Sequence, residues 1–251
     1  MAPRYAAHRG GAALWPENSL LAFRNSIALG AELLELDVHA TADGRVVVIH
    51  DATLERTTDG RGTVSACTAE ALARLHLRGP DGALTGERPP LLDDVATLVA
   101  RTRVELLVEI KTGAARARYE GLEASVLSVL EAAGVGARAN VMAFDPDVVS
   151  RVRALAPRQR TTLLIGRGDL PKGAAAVEAV RSAQTLGASD LGLDYRLIDE
   201  AVVTAAHAAA IVLAAWTVND EAAMRRLLAL GVDILTTDRP DVAARVLGER
   251  A

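Results

Sequence analysis

The sequence predicts an α/β fold of the (β/α)8, or TIM, barrel class, and three observations carry the prediction. Nine short apolar runs recur along the 251 residues, with helix-like patterns between them. Strand–helix alternation over one chain of this length suits eight units, which take roughly 250 residues. The third observation removes one run of the nine: only seven residues, HATADGR, separate Val38 from Val46, whereas a parallel crossover needs about a dozen or more. Asp43-Gly44 is a hairpin-turn dipeptide, so Val46–Ile49 is expected to fold back antiparallel on the second strand. Eight parallel strands remain, in a somewhat distorted barrel with a β-hairpin after strand 2. An open doubly wound sheet is the alternative, but no GxGxxG opens a helix after the first strand.

The elements follow in order. The first strand is read at Tyr5–Ala7 and ends on His8-Arg9-Gly10. Ser19 can cap a helix through Leu29, with Gly30 just past its end. Leu33–Val38 is the second strand, and its hairpin return ends on His50-Asp51. Residues 52–103 form the longest gap between barrel strands, with TTDGRGT and RGPDGALTGERPP as loop material, and predict a small insertion before strand 3. The remaining barrel strands are Val104–Ile110, Asn140–Phe144, Thr161–Ile165, Asp190–Leu193, Ile211–Val218 and Asp233–Thr236. Helices over Asp147–Ala156 and Asn219–Leu230 stop at Pro157 and Gly231. No internal repeat or low-complexity linker marks a boundary, so residues 1–251 are read as one domain.

Composition narrows the function. Half of the residues are apolar and only 3% aromatic, so Ala, Val and Leu must fill the core. A net charge of −4 argues against a nucleic-acid binder, which needs a broad basic face. Cys67 is the single cysteine, which excludes a disulfide framework or a thiolate zinc cluster. No stretch approaches the ~18 uncharged apolar residues of a membrane span. The expectation is a soluble, cytoplasmic protein without stable membrane insertion; the oligomeric state is left open.

Active sites of barrels lie at the C-terminal ends of the strands, and the polar residues expected there are few. Glu35 and Asp37 sit two apart in an apolar strand, and therefore on one face. Two buried carboxylates are costly unless a cation pairs with them. Glu109 and Lys111 repeat the spacing on the third barrel strand, and Trp216 lies on the seventh. Three carboxylates without thiolates suit a hard cation such as Mg²⁺ or Ca²⁺. Arg9 and Lys111 match phosphate oxygens, and of His8 and His50 one can serve as general base or nucleophile and the other as general acid. That set describes a site for attack on a phosphodiester.

The same residues carry a resemblance. HRGGAALWPENS, ELDVHATADGRVVVIHDATLERTTDGRG, VEIK, WTVN and GVDILTTDRP resemble, in order and over nearly the whole chain, the signatures of the glycerophosphodiester phosphodiesterase family. The resemblance implies a distorted barrel that hydrolyses glycerophosphodiesters to glycerol 3-phosphate and an alcohol with one divalent cation. By position, Glu35, Asp37 and Glu109 resemble the metal ligands, His8 and His50 the acid–base pair, and Arg9 and Lys111 the phosphate contacts. The acid and base roles stay open between the two histidines.

Asn18 either helps start a helix or supports the site as a substrate-binding residue, and Trp216 faces either the core or a bound glycerol backbone. A lysophospholipase D-type enzyme forming a cyclic or linear phosphate is the alternative activity; it calls for an apolar rim, of which the short loops give no sign. A silent phosphate-ester binder would lack a site histidine or carboxylate, and a Schiff-base lysine at Lys111 conflicts with the acidic cluster around it. His39, His76 and His207, with no carboxylate constellation expected nearby, are read as solvated or capping residues, the arginines of 151–160 and 225–226 as lying on solvated helix faces, and Cys67 as inert. The sharpest expectation is geometric: His50 must come close to Glu35 and Asp37.

Overall fold

Eight parallel strands close into a barrel in the computed structural model, which describes residues 2–170 and 174–249. The strands are β1 (Arg4–Ala7), β2 (Leu33–Ala40), β4 (Glu105–Ile110), β5 (Ala139–Ala143), β6 (Arg160–Ile165), β7 (Asp190–Asp194), β8 (Val212–Trp216) and β9 (Ile234–Thr237). Closure is made by β1, which pairs with β9 on one side (Tyr5↔Leu235) and with β2 on the other (Ala6↔Leu33). The ninth strand, β3 (Val46–Val48), lies outside the ring and pairs antiparallel with β2 through Val38↔Val48. The short spacer thus does what its length demands: Asp43 Oδ1 accepts from the Thr41 hydroxyl at 2.6 Å, and Gly44 takes φ +76° at the bend.

Helices α1 (Leu20–Ala28), α2 (Ala69–Leu72), α3 (Leu92–Ala100), α4 (Leu122–Ala132), α5 (Pro146–Leu155), α6 (Glu178–Leu186), α7 (Glu200–Ala208), α8 (Glu221–Leu230) and α9 (Pro240–Gly248) follow the strands. Their starts are capped as the residues dictate. Ser19 Oγ accepts from Ala22 N at 3.0 Å, and Asp220 Oδ1 accepts from Ala223 N at 2.9 Å. Proline at the first position starts α5 one residue before the sequence-based boundary, with Asp145 as its cap. Of the expected insertion over 52–103, α3 belongs to the main core, where Leu92, Val95, Ala96 and Val99 are buried. The earlier part instead packs Leu54, Val64 and Leu72 on Val47 and Ile49 as a separate small cluster.

Strand periodicity sorts the side chains. On β2, Leu34, Leu36 and Val38 join the layer shared with the helices. Leu33, two residues before Glu35, joins Ala6, Leu107, Met142, Leu164, Ala214 and Ile234 in the barrel interior. Burying each such leucine contributes roughly 1.5–3 kcal/mol. At the opposite end from the strand termini, ion pairs close the floor: Arg4 with Glu105 (2.7 Å), Arg160 with Glu105 (3.1 Å) and Arg160 with Asp190 (2.8 Å). Each of these is the first residue of its strand. Arg160 is therefore a barrel residue and not part of a solvated helix face, because the chain has already left α5 when it is reached. Among the described residues, no helix is long and apolar enough to cross a membrane.

Candidate active site

The strand ends converge on one cavity of about 140 Å³, lined at its top by His8, Arg9, Glu35, His50, Glu109 and Lys111. Leu107, Met142, Leu164, Ala214 and Ile234 form its lower wall.

Period-two spacing on β2 and the β2–β4 register Asp37↔Glu109 bring three carboxylates together. One oxygen from each of Glu35, Asp37 and Glu109 lies within 4.8 Å of the others, and all three residues are buried. Glu35 Oε2 accepts from the backbone N of Arg9 at 2.8 Å. Asp37 Oδ2 accepts from Asn18 Nδ2 at 2.9 Å. Lys111 Nζ donates to Glu109 Oε1 at 2.7 Å and stands 3.3 Å from Asp37 Oδ1. Among the described residues, that Asp37 oxygen nevertheless makes no hydrogen bond.

Three buried carboxylates against Arg9 and Lys111 leave one negative charge unmatched. Burial and the neighbouring Asp37 push the Glu35 carboxyl up. At Asp37 burial is outweighed by Lys111 and Arg9, and its pKa falls below the ordinary range. At Lys111 burial is outweighed by Glu109 and Asp37, which hold the ammonium charged. A buried all-oxygen cluster with a free acceptor fits a hard divalent cation.

The hairpin returns His50 to this cluster. Ile49 N donates to the carbonyl of Asp37 at 3.0 Å, and His50 shares the cavity wall with Glu35. His8 reaches it from the turn after β1, where its Nε2 lies 3.9 Å from Glu35 Oε2. Gly10 lets this turn seat on α1: its φ is +77°, and a Cβ there would lie 2.8 Å from the Cβ of Ala22.

Both rings are held from behind by carboxylates. Nδ1 of His8 donates to Asp238 Oδ1 at 2.6 Å, and Nδ1 of His50 donates to Asp51 Oδ1 at 2.6 Å. A carboxylate only accepts, so in the neutral rings Nδ1 carries the hydrogen and Nε2 is left for chemistry. Their charge states diverge. Burial lowers the His8 pKa, but Glu35 and the bond to Asp238 outweigh it, and the net shift is upward. At His50 burial prevails, helped by Lys111 and Arg9, and the shift is downward.

Behind each carboxylate stands another residue. Asp238 Oδ2 accepts from Asn219 Nδ2 at 2.6 Å. Arg56 Nε donates to Asp51 Oδ2 at 2.6 Å, and its Nη1 donates to Glu17 Oε2 at 2.8 Å. At Asp51 burial is outweighed by these bonds to Arg56 and His50, and the pKa falls to about 2. Glu17 also accepts from Arg9 Nη1 at 3.1 Å, so one carboxylate ties the two arginines together.

Of the sequence-derived candidates, Trp216 lines the cavity and packs edge to face on Phe144, with centroids 5.4 Å apart. Asn18, read either as a helix starter or as a support of the site, is 2% exposed and gives its amide to Asp37, so it braces a carboxylate of the site. His39 is also not solvated; it is completely buried. His76 and His207 do have carboxylates beside them, Asp59 and Asp233, each at 3.2 Å.

The sequence points to Asp51, beside His50, as a carboxylate that can orient the ring, but it does not single out Asp238, Asn219 or Arg56 as parts of the site. Asp238 follows the last residue of β9, so the strand-end rule applied once more would have found it. Nothing local marks Arg56.

Known proteins resemble the chain over nearly its whole length. The model of the glycerophosphoryl diester phosphodiesterase family matches residues 8–242. A glycerophosphodiester phosphodiesterase of Caldanaerobacter subterraneus subsp. tengcongensis is 33% identical, covering 94% of this chain and 93% of that protein. One of Bacillus altitudinis is 32% identical over 97% of both chains. A solved structure from Agrobacterium tumefaciens, described only provisionally as a glycerophosphoryl diester phosphodiesterase, has a TM-score of 0.91 at 26% identity, covering 100% of this chain and 99% of that one.

Proposed function

The chain belongs to the glycerophosphoryl diester phosphodiesterase family, and on that premise we propose that it hydrolyses glycerophosphodiesters to glycerol 3-phosphate and an alcohol, with one divalent cation, Mg²⁺ or Ca²⁺, and with His8 and His50 as the proton-transfer pair. The observation that carries this reading is the buried, charge-unbalanced trio Glu35, Asp37 and Glu109 sharing a cavity with two histidines, each held through Nδ1. Glu35, Asp37 and Glu109 would hold the cation, which when bound supplies electrostatic stabilisation of charge developing on the phosphoryl oxygens.

The chain's own residues do the rest. Arg9 and Lys111, whose ammonium Glu109 and Asp37 favour, face the same cavity and neutralise the phosphate; a charged Lys111 does not act as a Schiff-base nucleophile. One histidine accepts a proton at Nε2 from the attacking water as the new P–O bond forms. The other delivers its Nε2 proton to the leaving alkoxide as the old P–O bond breaks. Asp238 and Asp51 keep each ring's second proton on Nδ1 throughout. Trp216, with Phe144 behind it, offers an apolar wall to the substrate's carbon skeleton.

The test follows glycerophosphocholine or glycerophosphoethanolamine by phosphorus NMR, which also separates linear from cyclic products. Turnover to glycerol 3-phosphate is expected with Mg²⁺ or Ca²⁺, to vanish in EDTA, and to be lost in His8→Ala and His50→Ala. Undiminished turnover in chelator, or in either histidine variant, refutes the reading.

A further inference from the structure

His39 continues the inward-facing series Leu33, Glu35, Asp37 along β2 by the period of two. It is completely buried, and the mechanism above does not use it. Its Nε2 lies 2.9 Å from the carbonyl oxygen of His50. Its Nδ1 lies 2.8 Å from the hydroxyl of Tyr119, and the two rings meet edge to face at 5.6 Å.

These partners settle the tautomer. A carbonyl only accepts, so Nε2 must carry the hydrogen; Nδ1 of the neutral ring then accepts, and the Tyr119 O–H donates. Every donor and acceptor of the buried ring is used once. The bond also falls where regular pairing has ended. The β2–β3 ladder runs through His39↔Val47 and Val38↔Val48, and Ile49 N still reaches the carbonyl of Asp37. At His50 the β3 strand is over, and the side chain of His39 reaches its carbonyl.

We propose that His39 is the positioning residue for His50, with Tyr119 setting its tautomer, so that β2 both carries Glu35 and Asp37 and measures their distance to the catalytic ring. The inference rests on the reading that His50 transfers a proton. The His50 ring is then held at three points: Nδ1 on Asp51, the preceding amide on Asp37, and its own carbonyl on His39. Misplacing a catalytic group by about 1 Å can cost on the order of 100-fold in rate, which sets the scale of the effect.

The experiment measures kcat and KM on glycerophosphocholine with Mg²⁺, and the ring ¹⁵N shifts of His39, in wild type, His39→Ala, His39→Gln, Tyr119→Phe and His50→Ala. Wild type should show the His39 proton on Nε2. His39→Ala should lose about 10- to 100-fold in kcat with little change in KM. His39→Gln, whose amide N–H can reach the same carbonyl, should recover most of that loss. Tyr119→Phe should lose less, about 10-fold or below, with the His39 proton redistributed between its nitrogens.

A histidine that only stabilises the fold predicts lower melting temperature with unchanged kcat per folded molecule. Wild-type kcat in folded His39→Ala, or a proton on Nδ1 in the wild type, overturns the proposal. Should His39→Ala not fold, wild-type kcat in Tyr119→Phe overturns it and a loss that spares KM supports it. A fully active His50→Ala would instead overturn the proton-transfer reading beneath it, so the two failures are distinct.

Discussion

Replacing Asp238 with asparagine reverses the hydrogen on His8, and the structure shows why the new amide has no freedom to avoid it. His8 Nδ1 donates to Asp238 Oδ1 at 2.6 Å, and Asn219 Nδ2 donates to Asp238 Oδ2 at 2.6 Å. Asn219 cannot turn over, because its Oδ1 already accepts from Asp238 N at 2.8 Å and from the Thr237 hydroxyl at 3.1 Å. In Asp238→Asn the new carbonyl oxygen must therefore face Asn219, and the new NH₂ must face His8. His8 then accepts at Nδ1 and carries its hydrogen on Nε2, the atom that meets Glu35. A ring in that state cannot release the Nε2 proton without becoming an imidazolate, so it can neither accept nor cycle a proton there.

In the Ser–His–Asp triad the same exchange lowers kcat by about 10⁴. Here the His8 and Asp238 side chains are 17% and 21% exposed, so solvent relieves part of the penalty. The expected loss is roughly 10²- to 10⁴-fold in kcat, or ~2.7–5.4 kcal/mol at about 1.36 kcal/mol per factor of ten. KM should barely move, because Asp238 is not among the residues lining the cavity. Asp238→Ala removes the acceptor without imposing a donor and should lose less than Asp238→Asn. Adding Asn219→Ala to Asp238→Asn frees the amide to turn and should restore part of the rate. Initial rates at saturating cation, read by coupled detection of glycerol 3-phosphate, decide the matter. An asparagine variant milder than the alanine one, or retaining more than about a tenth of wild-type kcat, refutes the tautomer argument.

In the metal-free protein, NMR titration should place His8 above the ordinary histidine value of about 6.5 and His50 below it. A cation on the carboxylates should bring His8 down, because Glu35 is the largest contribution raising it against burial; no movement on adding metal contradicts this. The sign for stability follows: a raised folded pKa means that the His8 contribution to metal-free stability is complete below ~6.5 and is lost as pH rises through the folded value. Gly10→Ala should lower the unfolding free energy by about 2–4 kcal/mol, since φ is +77° and the added carbon meets both Ala22 Cβ and Ala22 backbone. A denaturation midpoint within error of wild type would show that the turn can move off α1.

What the chain determines by itself is whatever depends on local spacing. A spacing of two positions from Glu35 to Asp37 puts both on one face of β2 because strand geometry leaves no other choice. Seven residues between Val38 and Val46 forbid a crossover and force a hairpin, since the limit is the reach of the backbone. From those two facts and the rule that chemistry gathers at strand ends, the barrel, the carboxylate trio and both histidines were legible.

Only the tertiary structure decides which group faces which across the closed ring. Asp238 meets His8 because β9 closes onto β1, a contact between residues 230 positions apart that no periodicity encodes. Arg56 joins Asp51 to Glu17 across a loop, and loop paths are set by packing, not by spacing. His39 looks like an ordinary cap or surface residue in sequence, and burial alone turns it into the partner of the His50 carbonyl; Asn18 carries two readings in sequence, and its bond to Asp37 exists only in the fold. Spacing along the chain says which face a side chain occupies; hydrogen-bond partnership needs sub-ångström placement of groups far apart in sequence, and that exists only once the ring has closed.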